Sequence, residues 1–131
     1  MKKGFFAHIE QETTTNTDFR RVLYSGAHSQ LVLMTLQPQE DIGLEVHDDT
    51  DQFFRFESGE GKVIINETKY VVGDGDAVIV PSGAKHNIIN TSDTEVLTLY
   101  TIYSPAHHMD KTVHATKADQ TEEHFDGVTT E

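Results

Sequence analysis

From residue 31 to residue 103, apolar and polar positions alternate or β-rich residues cluster in short runs, and turn residues interrupt them at close intervals. Leu31–Leu36 reads as a strand stopped by Gln37-Pro38, and Gly43–His47 as a second stopped by Asp48–Asp51. Gln52–Glu57 follows and ends at Ser58-Gly59-Glu60-Gly61. Lys62–Ile65 and Lys69–Val72 flank Asn66-Glu67, a hairpin turn by its chemistry. Asp76–Val80 lies between Gly73-Asp74-Gly75 and Pro81-Ser82-Gly83, and His86–Asn90 and Glu95–Tyr103 complete the series. Strands so short and so closely spaced predict an all-β sandwich or barrel.

The flanks are less regular. Thr17–Tyr24 fits either a short capped helix or an edge strand. The polar, acidic segment from residue 116 to 131 reads as a tail, holding a helical turn or moving freely. The expected organisation is one domain over residues 1–115, with its core at about 25–105, followed by that tail.

Within this pattern one group of residues carries chemistry. Glu45 and His47 are two apart on a predicted strand, so their side chains leave the same face with bases about 6–7 Å apart. Gln52 opens the returning strand beside His47, and Pro81-Ser82-Gly83 leads into the strand that begins at His86. Two imidazoles, a carboxylate and an amide carbonyl can then point into one barrel. A set of nitrogen and oxygen donors without sulfur suits Mn, Fe, Ni, Co or Zn better than Ca or Mg. Open coordination positions would leave room for a substrate.

Composition narrows the field. The chain has 131 residues and no cysteine, which removes disulfides, thiolate metal sites and cysteine catalysis. A formal net charge of −12 opposes binding to nucleic acid or to anionic membranes. The N-terminal apolar stretch is too short for a signal peptide and is followed by Glu10 and Glu12, so a cytoplasmic location is expected. Gly59-x-Gly61 lacks the third glycine and the helix of a dinucleotide loop, and no serine sits in a nucleophile elbow.

These residues resemble the motifs of the cupin superfamily. The second cupin motif is matched throughout: Gly75, five residues, Pro81, Gly83, His86 and Asn90. The first is matched with changes: Glu45 stands at its first histidine, His47 at its second and Gln52 at its glutamate, with Gly59 six residues further on. The two exchanges compensate in charge, since Glu45 adds a negative charge and Gln52 removes one. The resemblance spans roughly residues 25–105. It implies a small RmlC-like jelly roll, that is a double-stranded β-helix, often dimeric, with metal ligands at Glu45, His47, Gln52 and His86. A glutamine at this motif position also occurs in cupins that act on unsaturated uronates.

The expected function is therefore a metal-dependent, isomerase- or tautomerase-like enzyme on a sugar, sugar acid or similar small polar metabolite. One divalent transition metal would serve as cofactor, and Glu45 would serve as ligand or as general base. A metal-dependent dioxygenase and a non-catalytic, ligand-binding or sensory cupin are the alternatives. The expected partner is a second copy of the chain in a homodimer, met through Phe53 and Arg55 or through an exchanged strand from residues 1–25. Phe54 and Phe56 should form the apolar wall beside Gln52, and Asn90 should brace a turn. His107, His108 and His114 invite a second metal site, but a polar segment folded over the barrel wall accounts for them better.

Overall fold

β-Branched and aromatic residues dominate the runs between turns, and each such run forms a strand because its side chains pack well on a pleated, half-buried surface. A computed structural model describes residues 1–131. The elements are α1 (Ile9–Thr15), β1 (Arg20–Ser25), β2 (Gln30–Leu36), β3 (Asp51–Ser58), β4 (Glu60–Ile65), β5 (Thr68–Gly73), β6 (Ala77–Val80), β7 (His86–Asn90), β8 (Leu97–Ser104) and β9 (Val113–His114). A 3₁₀ turn follows at Lys117–Asp119. One sheet has the order β6-β3-β8-β2-β1-β9 and the other β5-β4-β7, with antiparallel pairing throughout. This is a jelly roll, and no helix in it is long and apolar enough to cross a membrane.

The core lies between the sheets. Val32, Met34 and Leu36 of β2, Phe54 and Phe56 of β3, Val63 of β4, Ile88 of β7 and Leu97 and Leu99 of β8 are buried in one cluster. Gln52, Phe54 and Phe56 point inward together, as their spacing predicts, so the amide of Gln52 sits at one end of an apolar wall. Asn90 braces a turn: its amide donates to the carbonyls of Leu36, Gln37 and Glu95 at 3.1, 3.1 and 2.9 Å. The Asn66-Glu67 hairpin forms as expected, with Asn66 at φ 52°.

Three local expectations are corrected. Gly43–His47 is not a regular strand; it touches β7 only through isolated bridges, Asp41 opposite Ile89 and Glu45 opposite His86. Four residues advance on one side while three retreat on the other, so one extra residue bulges out. Gly43, at φ 111°, lies inside that bulge. In the N-terminal region a helix and a strand both occur, one after the other. The helix precedes the expected place because three threonines hold it locally, each hydroxyl donating to a carbonyl one turn back. Arg20–Ser25 is not a bare edge strand, since it pairs with β2 and also with the two-residue β9 of the same chain.

The tail returns to the barrel. The Phe125 N–H donates to the His107 carbonyl at 2.8 Å, and the Thr130 N–H to the Ser25 carbonyl at 2.9 Å. Lys117 is ion-paired with Asp41, which also accepts from Asn87, the neighbour of His86.

Candidate metal centre

The bulged segment and the start of β7 bring three of the four expected ligands together, Glu45, His47 and His86. Backbone hydrogen bonds run both ways between Glu45 and His86 at 2.9 Å, locking the two residues side by side. The donor atoms of Glu45, His47 and His86 lie within 4.8 Å of one another, close enough to share one ion. The imidazoles of His47 and His86 have centroids 5.4 Å apart. His47 Nε2 and Glu45 Oε2 are 3.0 Å apart, so a proton bridges the two side chains here.

His86 is prepared as a nitrogen donor. Its Nδ1 lies 3.1 Å from the Ala84 carbonyl. A carbonyl only accepts, so the proton sits on Nδ1 and the Nε2 lone pair is free. Burial lowers the proton affinity of His86, and the Ala84 carbonyl and the Glu45 charge only partly offset this. Burial alone would raise the carboxyl of Glu45, but its hydrogen bond to His47 and the charge of Arg20 help to hold it below the ordinary range. The site therefore presents a neutral imidazole and a carboxylate.

Gln52 is on the same inner surface. It stands opposite Tyr103 in the β3–β8 register, and the Tyr103 ring is 6.0 Å from that of His47. The ring of Phe54, two residues along, is 6.3 Å from that of His86. Gln52 Nε2 donates to Thr101 Oγ1 at 3.0 Å, which fixes the direction of the amide. Its Oε1 is buried and has no hydrogen-bond partner. An orphaned buried carbonyl oxygen is costly unless something electropositive meets it. Beside two imidazoles and a carboxylate, that gap fits a divalent transition ion.

The histidines after β8 close the mouth of the barrel, as a folded-over polar segment should. The backbone N–H groups of His107 and His108 both donate to Gln30 Oε1, at 3.1 and 2.9 Å. The His107 ring packs on His47 at a centroid distance of 4.3 Å, and His108 Nε2 is 3.2 Å from the Tyr103 hydroxyl. His114 instead meets Arg20. Of the two tyrosines of β8, Tyr103 faces the site, while Tyr100 packs on Phe53 on the outer surface. The tail divides the entrance in two. A cavity of about 390 Å³ is bordered by Glu45 and Arg20, another of about 650 Å³ by His47, and His107 and His124 border both. Arg20 and His124 carry no sequence signal of this role, because the long-range return of the tail brings them to the site.

The buried imidazoles make stability depend on pH. Burial, with help from the Arg20 charge, pushes His108 down to about 2, and burial chiefly takes His107 to about 4. An unfolded histidine titrates near 6.5. Both folded values are depressed, so this stabilisation is complete above about pH 6.5 and is lost as pH falls towards the folded values. For His108 alone the loss between pH 7 and pH 5 should be roughly 2 kcal/mol. His108→Gln should show a correspondingly smaller difference between its urea midpoints at the two pH values. An unchanged difference would mean that His108 is not a source of the pH dependence.

Comparison with known proteins agrees with this architecture. Residues 32–103 match the family described as Cupin domain. The chain is 46% identical over 123 residues to the uncharacterized protein YrkC of Bacillus subtilis, covering 89% of this chain and 66% of that one. It thus spans slightly less than two thirds of that relative. The crystal structure of BH2720 from Bacillus halodurans superimposes with a TM-score of 0.87 at 43% identity, covering 89% of this chain and 92% of the other. A predicted oxalate decarboxylase from Thermotoga maritima shares 26% identity with a TM-score of 0.55, over 58% of this chain and 65% of that one.

Proposed function

Because the chain belongs to the cupin family, we propose that it is a metal-dependent enzyme of isomerase or tautomerase type, acting on a sugar, a sugar acid or a similar small polar metabolite. Glu45, His47, Gln52 and His86 would hold one divalent transition ion. The observation that carries this reading is the buried, unpartnered Gln52 Oε1 on the inner surface that also presents the Glu45–His47–His86 cluster. Such an ion, once bound, supplies Lewis acidity to a substrate carbonyl or hydroxyl oxygen.

The chain's own residues account for the rest. Glu45 is only partly buried and borders the smaller cavity, so its carboxylate can reach a substrate proton as well as a metal. Tyr103 is fully buried, and burial raises its phenol above the ordinary range, so it stays protonated and remains able to donate a hydrogen bond. The rings of His107 and Tyr103 are stacked 5.4 Å apart and narrow the approach to His47, which limits water beside the reacting group.

The test is a proton-exchange assay. Protein loaded with manganese or zinc is incubated with a panel of uronates, hydroxy acids and aldoses in deuterium oxide, and isomerisation or α-deuteration is followed by NMR. A general-base role predicts that Glu45→Gln lowers the rate at least about a hundredfold while metal content stays near one ion per chain. Loss of the ion together with the rate would make Glu45 a ligand only. Full metal occupancy with no turnover or exchange on any panel member would favour a binding protein instead.

A further inference from the structure

Arg20, the first residue of β1, is 2% exposed. A guanidinium is a permanent cation, and burying one without an anion beside it is expensive. Its polar partners are neutral: Nη1 is 3.3 Å from His114 Nδ1 and 3.3 Å from Gln120 Oε1. Its guanidinium carbon lies 5.2 Å from the centre of the Phe19 ring. No carboxylate of the chain forms an ion pair with it. Its Nε–H is buried and has no acceptor. The side chain borders the 390 Å³ cavity that also reaches Glu45. Glu45 feels the Arg20 charge across this space but makes no ion pair with it; its Oε2 is turned to His47 instead.

We propose that Arg20 is the anion-receiving residue of this site, taking the carboxylate of a small hydroxy or oxo acid whose neighbouring oxygens face the metal ligands. The orientation towards the metal rests on the metal-dependent reading above; the capture of the carboxylate does not. Guanidinium and carboxylate match as planar, two-pronged partners, and a free Nε–H is half of such a fork. Charge points the same way. Glu45 contributes the single negative charge of the ligand set, so a divalent ion leaves one positive charge, and Arg20 adds another in the same enclosed space. A chelating carboxylate lowers that excess, whereas a neutral sugar does not. The exposed Glu122 and Glu123 at the cavity rim oppose an incoming anion, but water and salt screen them far more than they screen a buried guanidinium.

The chain has only three arginines, Arg20, Arg21 and Arg55, so each Nε–H can be followed separately by nitrogen NMR. Metal-free and zinc-loaded protein would be titrated with glycolate, the smallest hydroxy acid, and with its neutral counterpart ethylene glycol. The Arg20 signal should move saturably with glycolate and not with ethylene glycol, in both forms, while Arg21 and Arg55 stay in place. Zinc should tighten glycolate binding at least tenfold. Arg20→Gln should abolish the preference for glycolate, Arg20→Lys should keep part of it, and both variants should still take up one zinc ion per chain. A stationary Arg20 signal in wild-type protein overturns the proposal, whatever becomes of the variants. So does a glycolate preference that survives Arg20→Gln. Loss of zinc from that variant would reduce Arg20 to a support for Glu45, again against the proposal. If wild-type protein binds no zinc yet its Arg20 signal responds to glycolate, the anion role stands and the metal reading falls.

Discussion

His86→Ala should lower the affinity for manganese or zinc at least about a hundredfold, measured by calorimetry and by metal content after dialysis. Among the proposed ligands His86 has the most fixed geometry. It is 3% exposed, its backbone is tied to Glu45 in both directions, and its ring is oriented by the Ala84 carbonyl. Loss of an outer-shell partner alone typically costs ten- to a hundredfold in affinity, and loss of the ligand itself should cost at least as much. The effect should also appear in stability. A ligand present at a hundred times its dissociation constant stabilises the folded state by about 2.7 kcal/mol. Wild-type protein should therefore gain several degrees in Tm on adding metal and lose them with a chelator, whereas the variant should show neither change. Equal metal content in the two proteins would refute the assignment of the centre.

Gly59→Ala should cost at least about 3 kcal/mol in a denaturant titration. Gly59 lies between β3 and β4 at φ 91°, where a residue with a side chain is strained. Space is a second problem. A Cβ there would press against the Val96 carbonyl oxygen and come within 3.0 Å of Leu97 Cα, both backbone atoms of the chain entering β8. Backbone can yield only by moving β8, which is the central partner of both β2 and β3. Gly75→Ala and Gly83→Ala supply the control. They have similar φ values, 88° and 86°, but open space around the missing Cβ. Each should lose only about 1–2 kcal/mol, the strain contribution alone. Equal losses at all three positions would show that the contact with Val96 is relieved at no cost.

Much of the site is legible in the sequence. Glu45 and His47 share a face by strand arithmetic, and the resemblance of Gly75–Asn90 to the second cupin motif singles out His86 as a ligand. The same arithmetic places Gln52 with Phe54 and Phe56, and all three are buried together. The strand expected over Gly43–His47 fails for a local reason: a bulge at Gly43 interrupts a pattern that alternation alone cannot distinguish from a ladder. The helix before β1 is also hidden, since a run of threonines is a poor helix former that is satisfied here by side chain-to-backbone hydrogen bonds.

Taken by itself, the sequence determined the all-β pattern, the positions of the turns and four donor side chains of matched chemistry, because these depend on spacings of a few residues. Only the tertiary structure decided that Gln52 Oε1 is left without a partner, that Arg20 is buried without an ion pair, and that His107 and His124 stand at the entrance. Those facts arise where segments meet across 49 to 100 positions of chain, β3 against β8 and β1 against the tail. A local pattern cannot state whether a buried polar group has found its partner, since that partner is chosen by packing between distant segments.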